Sequence, residues 1–157
     1  MQKIFLTFFY TGLSPKAPGT VGTFASLVLA ILLIQFFPAS TLFLISLLVS
    51  ILAIKEIDRY EANGGPHDDK SIVIDEFAGI FLAFSMTNPS PDNWAVQALL
   101  SFVFFRYFDI SKPSVIGKID KNTKGGLGVV GDDVVAGFFA GILTNLVLYF
   151  TKNYFGF

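Results

Sequence analysis

The chain has 157 residues, 53% of them hydrophobic and 15% charged, with 19 Phe, a mean hydropathy of +0.64 and a formal net charge of −1. So apolar a composition lies outside the range of ordinary soluble domains of one-domain length. The near-neutral charge offers no nucleic-acid footprint, and the lack of cysteine removes disulfides, thiolate metal sites and cysteine nucleophiles together.

The opening stretch, "MQKIFLTFFYTGLSPKAPGT", is apolar, but the run is short and has no A-x-A cleavage pattern, so it does not read as a signal peptide. "SPKAPGTVGTFAS" is a Pro/Gly loop leading into a helix. Thr20, Thr23 and that helix N-terminus could bind an anion, or the loop could simply end in a Thr cap. Five apolar segments then read as helices: 21–37, stopping at Pro38; 41–54, running into "KEIDRYEA"; 71–86; 95–109; and 134–150. Each is shorter than the roughly 20 residues of a clean bilayer crossing. Together they favour a small polytopic membrane protein over a soluble all-α bundle. The expected fold is a compact all-α bundle of about 5–7 helices, one domain over 1–157.

If the five segments cross in alternation, connectors 38–40 and 87–94 share one side and contain only one charged residue, Asp92. The N-terminus and connectors 55–70 and 110–133 lie on the other side, where Lys is concentrated, as expected of a cytoplasmic face. Eleven of the twelve Asp and Glu also lie on or near that side. One membrane face collects the chemistry.

Three charged constellations lie there. "HDDKSIVIDEF" holds Asp68, Asp69, Lys70, Asp75 and Glu76. If Ser71 caps a helix, Asp75 and Glu76 fall in its second turn, about 100° apart. Carboxylates among Ile, Val and Phe are costly unless paired or metal-bound. The structural alternative is an ion pair with Lys70 or Arg106. "FFRYFDISKP" sets Arg106 and Asp109 at i, i+3 on one face, with Lys112 following. "KIDKNTKGGLGVVGDDVVAG" carries Asp120, Lys121, Lys124, Gly125 and Gly126 before Asp132 and Asp133. The glycines could bring backbone N–H groups to a phosphate, and the Asp pair could cap the last helix or hold a metal. "AGFFAG" places Ala136 with Ala140 and Gly137 with Gly141 at the spacing of close helix packing. His67 stands alone, as a solvated loop residue. That leaves no basis for phosphatases that need several His, and no nucleophile elbow or Walker loop is present. All-oxygen ligands suit Mg²⁺ rather than zinc. With Lys and Arg beside it, Mg²⁺ is the equipment of phosphoryl chemistry, and a membrane face implies a lipid phosphate.

"LSPKAPGTVGT", "DDKSIVIDEFAG", "FRYFDISKP" and "KGGLGVVGDDVVAG" resemble, in order and spacing, the motifs of the phosphatidylglycerophosphatase A family, from about residue 12 to 141. The resemblance implies an all-α, Mg²⁺-dependent phosphatase converting phosphatidylglycerophosphate to phosphatidylglycerol. Its implied place is the bacterial inner membrane, multi-pass, with the active site on the cytoplasmic face. By position it implies Asp68, Asp75, Glu76, Asp109, Asp132 and Asp133 around the metal, with Asp75, Glu76, Asp109 and Asp133 catalytic. Arg106, Lys112, Lys124, Gly125 and Gly126 would face the phosphate. Where the family often reads Asp-Pro, this chain reads Asp68-Asp69, which leaves the part of Asp69 open. On the residues' own reading, Asp132 caps the last helix and Asp133 faces the metal. The competing reading is a small transporter or channel with the acids as an ion path.

Overall fold

The computed structural model describes residues 1–67 and 69–155, and all regular structure among them is helical. α1 (Gln2–Leu6) leads through a short 3₁₀ turn to α2 (Pro18–Leu33). α3 (Ala39–Ala62), α4 (Ile74–Met86), α5 (Trp94–Ser111), α6 (Val115–Asn122) and α7 (Gly125–Phe155) follow. Pro18 occupies the first turn of α2, where its missing N–H costs nothing. Pro38 takes the N-cap position of α3.

α4 is the axis of the molecule. Ten of its thirteen residues are buried, so α2, α3, α5 and α7 wrap it on all sides. Phe77 and Phe81 stack with ring centroids 4.0 Å apart. α7 packs along α4 more extensively than any other pair of helices. The "AGFFAG" stretch is the reason: Ala136 and Ala140 are fully buried, Gly137 lies against the Gly79 carbonyl, and Gly141 against Met86. Small residues let the two backbones approach.

The outer faces are apolar. Phe24, Leu44, Leu48, Leu99, Leu146 and Tyr149 are all more than half exposed. α3 and the 125–153 stretch of α7 are long and apolar enough to cross a membrane. α2 is apolar but shorter, and α4, at thirteen residues, spans only about 20 Å.

Three local expectations are corrected. No side chain caps α4; Val73 holds its N-cap position, so Asp75 and Glu76 stand in the first turn rather than the second. Acids there complement the positive helix end. The 110–133 connector contains α6, an amphipathic helix that buries Ile116. α7 begins at Gly125, not at 134, so Asp132 lies well inside it and cannot be its cap.

Candidate active site

The first turns of α2 and α4, the end of α5, α6 and the early turns of α7 meet around a cleft of about 710 Å³. α2 opens with no side-chain cap, and its Ala17, Pro18, Gly19 and Thr20 line the cleft beside Asp75, Glu76, Arg106, Asp109, Lys112, Asp120, Asp132 and Asp133. Asp75 and Glu76 both line it although they point about 100° apart, because the cleft straddles the end of α4.

Arg106 organises one wall. A single terminal nitrogen, Nη1, donates to Asp109 Oδ2 at 2.6 Å, to Glu76 Oε1 at 3.3 Å and to Thr23 Oγ1 at 3.3 Å. Its Nε is buried with no hydrogen-bond partner. The Arg106–Asp109 pair is the i, i+3 pair expected from the sequence, and Glu76 joins it from α4. Lys112 organises the other wall. It ends α5 in a left-handed conformation, and its Nζ donates to Asp132 Oδ2 at 2.7 Å and to Asp120. Asp132 and Asp133 are only 4% and 3% exposed, so these charges are not solvated surface acids.

Burial drives the electrostatics. It pushes the Glu76 carboxyl up to about 7, against the pull of Arg106. Asp75 is raised well above the ordinary range, first by burial and then by Glu76, Asp132 and Asp109 nearby. For Lys112, burial acts to lower the pKa, but the bonds to Asp120 and Asp132 outweigh it and the ammonium is held charged.

Among the described residues no three acids or histidines form a ready-made metal shell. Arg106 and Lys112 lie against the carboxylates instead. Asp75 Oδ1 and Asp132 Oδ1, however, are buried without any hydrogen-bond partner, an arrangement that is costly unless a further group arrives. Their donor chemistry, carboxylate oxygen throughout, fits a hard divalent cation.

Asp68 lies outside the described residues. Asp69 does line the cleft, but its carboxylate accepts from the Tyr60 hydroxyl at 2.6 Å and from the Ser71 N–H at 2.9 Å. Those bonds, Tyr60 first, hold its carboxyl below the usual range, and they make it a loop-fixing residue. His67 is exposed and pairs with Glu61. Lys124, Gly125 and Gly126 do not line the cleft. Lys124 is exposed; the Gly126 N–H donates to Asp58 Oδ1 at 2.7 Å, and Gly126 sits against the Ile54 carbonyl. These glycines join α7 to α3, and Gly125 supplies the positive φ of the turn. Lys121 lines the cleft in place of Lys124. Sequence reasoning also missed the link between Thr23 and Glu76, whose only local signal is Gly19 and Thr23 four apart on one helix face.

A family model described as Phosphatidylglycerophosphatase A matches residues 4–148. Phosphatidylglycerophosphatase A of Haemophilus influenzae is 33% identical over 90% of this chain and 85% of its own length. Its namesake in Escherichia coli K12 is 35% identical over 93% and 80%. A Bacteroides thetaiotaomicron protein provisionally described as a phosphatidylinositol-3-phosphatase is 34% identical over 87% of each chain. No solved structure matches the chain significantly. An all-helical bundle with this cleft and these relatives is a phosphatase. The chain belongs to the phosphatidylglycerophosphatase A family.

Proposed function

We propose that this chain is a Mg²⁺-dependent lipid phosphatase that hydrolyses phosphatidylglycerophosphate to phosphatidylglycerol and phosphate, a step of glycerophospholipid biosynthesis. The observation that carries the reading is the cleft itself. Buried acids, two with unpartnered oxygens, are held against a guanidinium and an ammonium where apolar helices end.

In this reading Asp75, Glu76, Asp109, Asp132 and Asp133 hold the cation. Bound Mg²⁺ would offset negative charge gathering on the phosphoryl oxygens. Arg106 and Lys112 would bind the phosphate oxygens, Arg106 with the N–H groups its acid partners leave unused. The uncapped N-terminus of α2, at the cleft edge, adds positive potential. Water replaces the glycerol oxygen on phosphorus, and a proton returns to that oxygen. In the cation-free chain Glu76, pushed up to about 7 by burial, holds a proton that the cation would displace on binding.

The chain would lie in a bacterial inner membrane as a multi-pass protein with the cleft on the cytoplasmic face. α7 supports this placement. At 31 residues it is about 46 Å long, so its apolar 134–150 stretch can sit in hydrocarbon while Asp132 and Asp133 stay at the edge. A transporter would need acids at mid-depth, and 21–54 and 134–150 contain none.

The test is phosphate release from phosphatidylglycerophosphate in detergent micelles, with Mg²⁺ and then with excess EDTA, beside phosphatidylinositol 3-phosphate. Release confined to the Mg²⁺ arm and to phosphatidylglycerophosphate is expected. No release from folded protein in either arm overturns the reading. Faster release from the inositol lipid moves the substrate to the specificity named for the Bacteroides relative.

A further inference from the structure

The first turns of α2 carry a device that the cleft's charge pattern does not explain. Thr23 is fully buried, and its hydroxyl lies 3.1 Å from Glu76 Oε2 and 2.8 Å from the Gly19 carbonyl while accepting from Arg106 Nη1. One hydroxyl has one proton, so it can serve Glu76 or the helix carbonyl, not both fully. One turn earlier, Gly19 lies directly against the other side of this group: a Cβ there would run into Glu76 Oε1. Glu76 Oε1 also receives Arg106. The two oxygens of one carboxylate are thus each set by α2, one by a hydroxyl and one by the space a glycine leaves.

We infer that Gly19 and Thr23 form a clamp that positions the Glu76 carboxylate, with Arg106, for the divalent cation. Both are positioning residues. They act through Glu76, and the inference rests on the reading above, on its cation for the calorimetric arm and on its activity for the kinetic arm. The clamp is distinct from helix packing. Thr23 needs no hydroxyl to pack, because Val has nearly its shape. Gly19 faces the far end of a flexible side chain, so an added methyl displaces the carboxylate rather than the helix.

The test uses the full chain in detergent with Thr23→Val, Thr23→Ser and Gly19→Ala. Mg²⁺ binding is read by titration calorimetry, kcat and KM from phosphate release, and folding from the thermal midpoint in EDTA. Loss of a ligand's orienting partner typically costs 10–100-fold in metal affinity or activity. Thr23→Val is therefore expected to weaken Mg²⁺ binding about 10-fold or more and to lower kcat with little change in KM. Thr23→Ser should restore both to within about 3-fold, since it keeps the hydroxyl. Gly19→Ala should weaken Mg²⁺ binding with a near-normal midpoint. Wild-type Mg²⁺ affinity in both Thr23→Val and Gly19→Ala overturns the clamp, as does a Thr23→Ser variant no better than Thr23→Val. If Thr23→Val does not fold, Gly19→Ala decides alone. If the wild-type chain binds Mg²⁺ but releases no phosphate, the activity reading fails while the calorimetric arm still tests the clamp.

Discussion

The two parts of α7 solve opposite problems. From Val134 onward, Ala136, Gly137, Ala140 and Gly141 bring its backbone onto α4, and Asn145 donates to the Met86 carbonyl at 2.9 Å. Apart from the Thr144 hydroxyl, no buried side-chain oxygen or nitrogen there lacks a partner among the described residues. Before Val134 the same helix carries Asp132 and Asp133 into a cleft where Asp132, Asp75 and Arg106 each leave a buried polar atom unpaired. Unsatisfied polar groups cost stability. Among the described residues Gln97, Ser101 and Thr144 leave neutral buried atoms unpaired elsewhere, but those on charged groups all lie at the cleft. They mark where the fold holds groups for a ligand, and the close-packed part provides the stability that tolerates them.

Substitutions at the two parts should therefore fail differently. The largest effect is expected at the cleft. Asp75→Asn should cut phosphate release by at least about 10²-fold, on the scale of losing a transition-state stabilising group, while the thermal midpoint in EDTA holds or rises because the crowding of Asp75 against Glu76, Asp132 and Asp109 is relieved. A variant that kept wild-type turnover would remove Asp75 from the site. Gly137→Val should do the reverse. Its side chain collides with the Gly79 carbonyl, and overpacking of this kind costs about 1–3 kcal/mol. A lowered unfolding midpoint in detergent, with kcat per folded molecule near normal, would hold the comparison. An unchanged midpoint would break it.

A smaller effect should come from pH. In the cation-free chain Glu76 keeps its proton up to about 7, whereas in the unfolded chain it loses it near its ordinary value of 4.5. Between those values the folded state binds more protons, so its stability is greatest below 4.5 and declines as pH rises to about 7. The thermal midpoint in EDTA should fall from pH 5 to pH 7.5, with a loss of stability of about 2 kcal/mol for the shift of Glu76 from 4.5 to about 7. Mg²⁺ should shrink that fall by taking the proton's place. A midpoint that climbs over this range in EDTA would contradict the buried, cation-free state of Glu76.

The smallest effect is expected at Lys124. Although its place in the motif resembles a phosphate-side position, it is exposed and outside the cleft. Lys124→Ala should change kcat/KM by less than about 2-fold, within the usual range for surface substitutions. Lys121→Ala, inside the cleft, should raise KM more. Equal effects would mean that the cleft's rim extends further than its lining residues.

The sequence by itself determined the helical, apolar character of the chain, the gathering of acids toward one end, the small-residue seam of α7 and the Arg106–Asp109 pair. Those features are written in local spacing and composition, which hydrophobic periodicity and i, i+3 geometry translate directly. Only the tertiary structure decided that α7 starts at Gly125, that Gly125 and Gly126 serve contact with α3 instead of phosphate, and that Lys112 bridges Asp120 and Asp132. It alone placed Thr23 on Glu76, 53 residues away. A glycine run reads equally as a loop, a ligand cradle or a close helix crossing, and an acid near a helix start reads equally as a cap or a ligand. What separates these readings is the atom on the facing helix, and no local pattern specifies it.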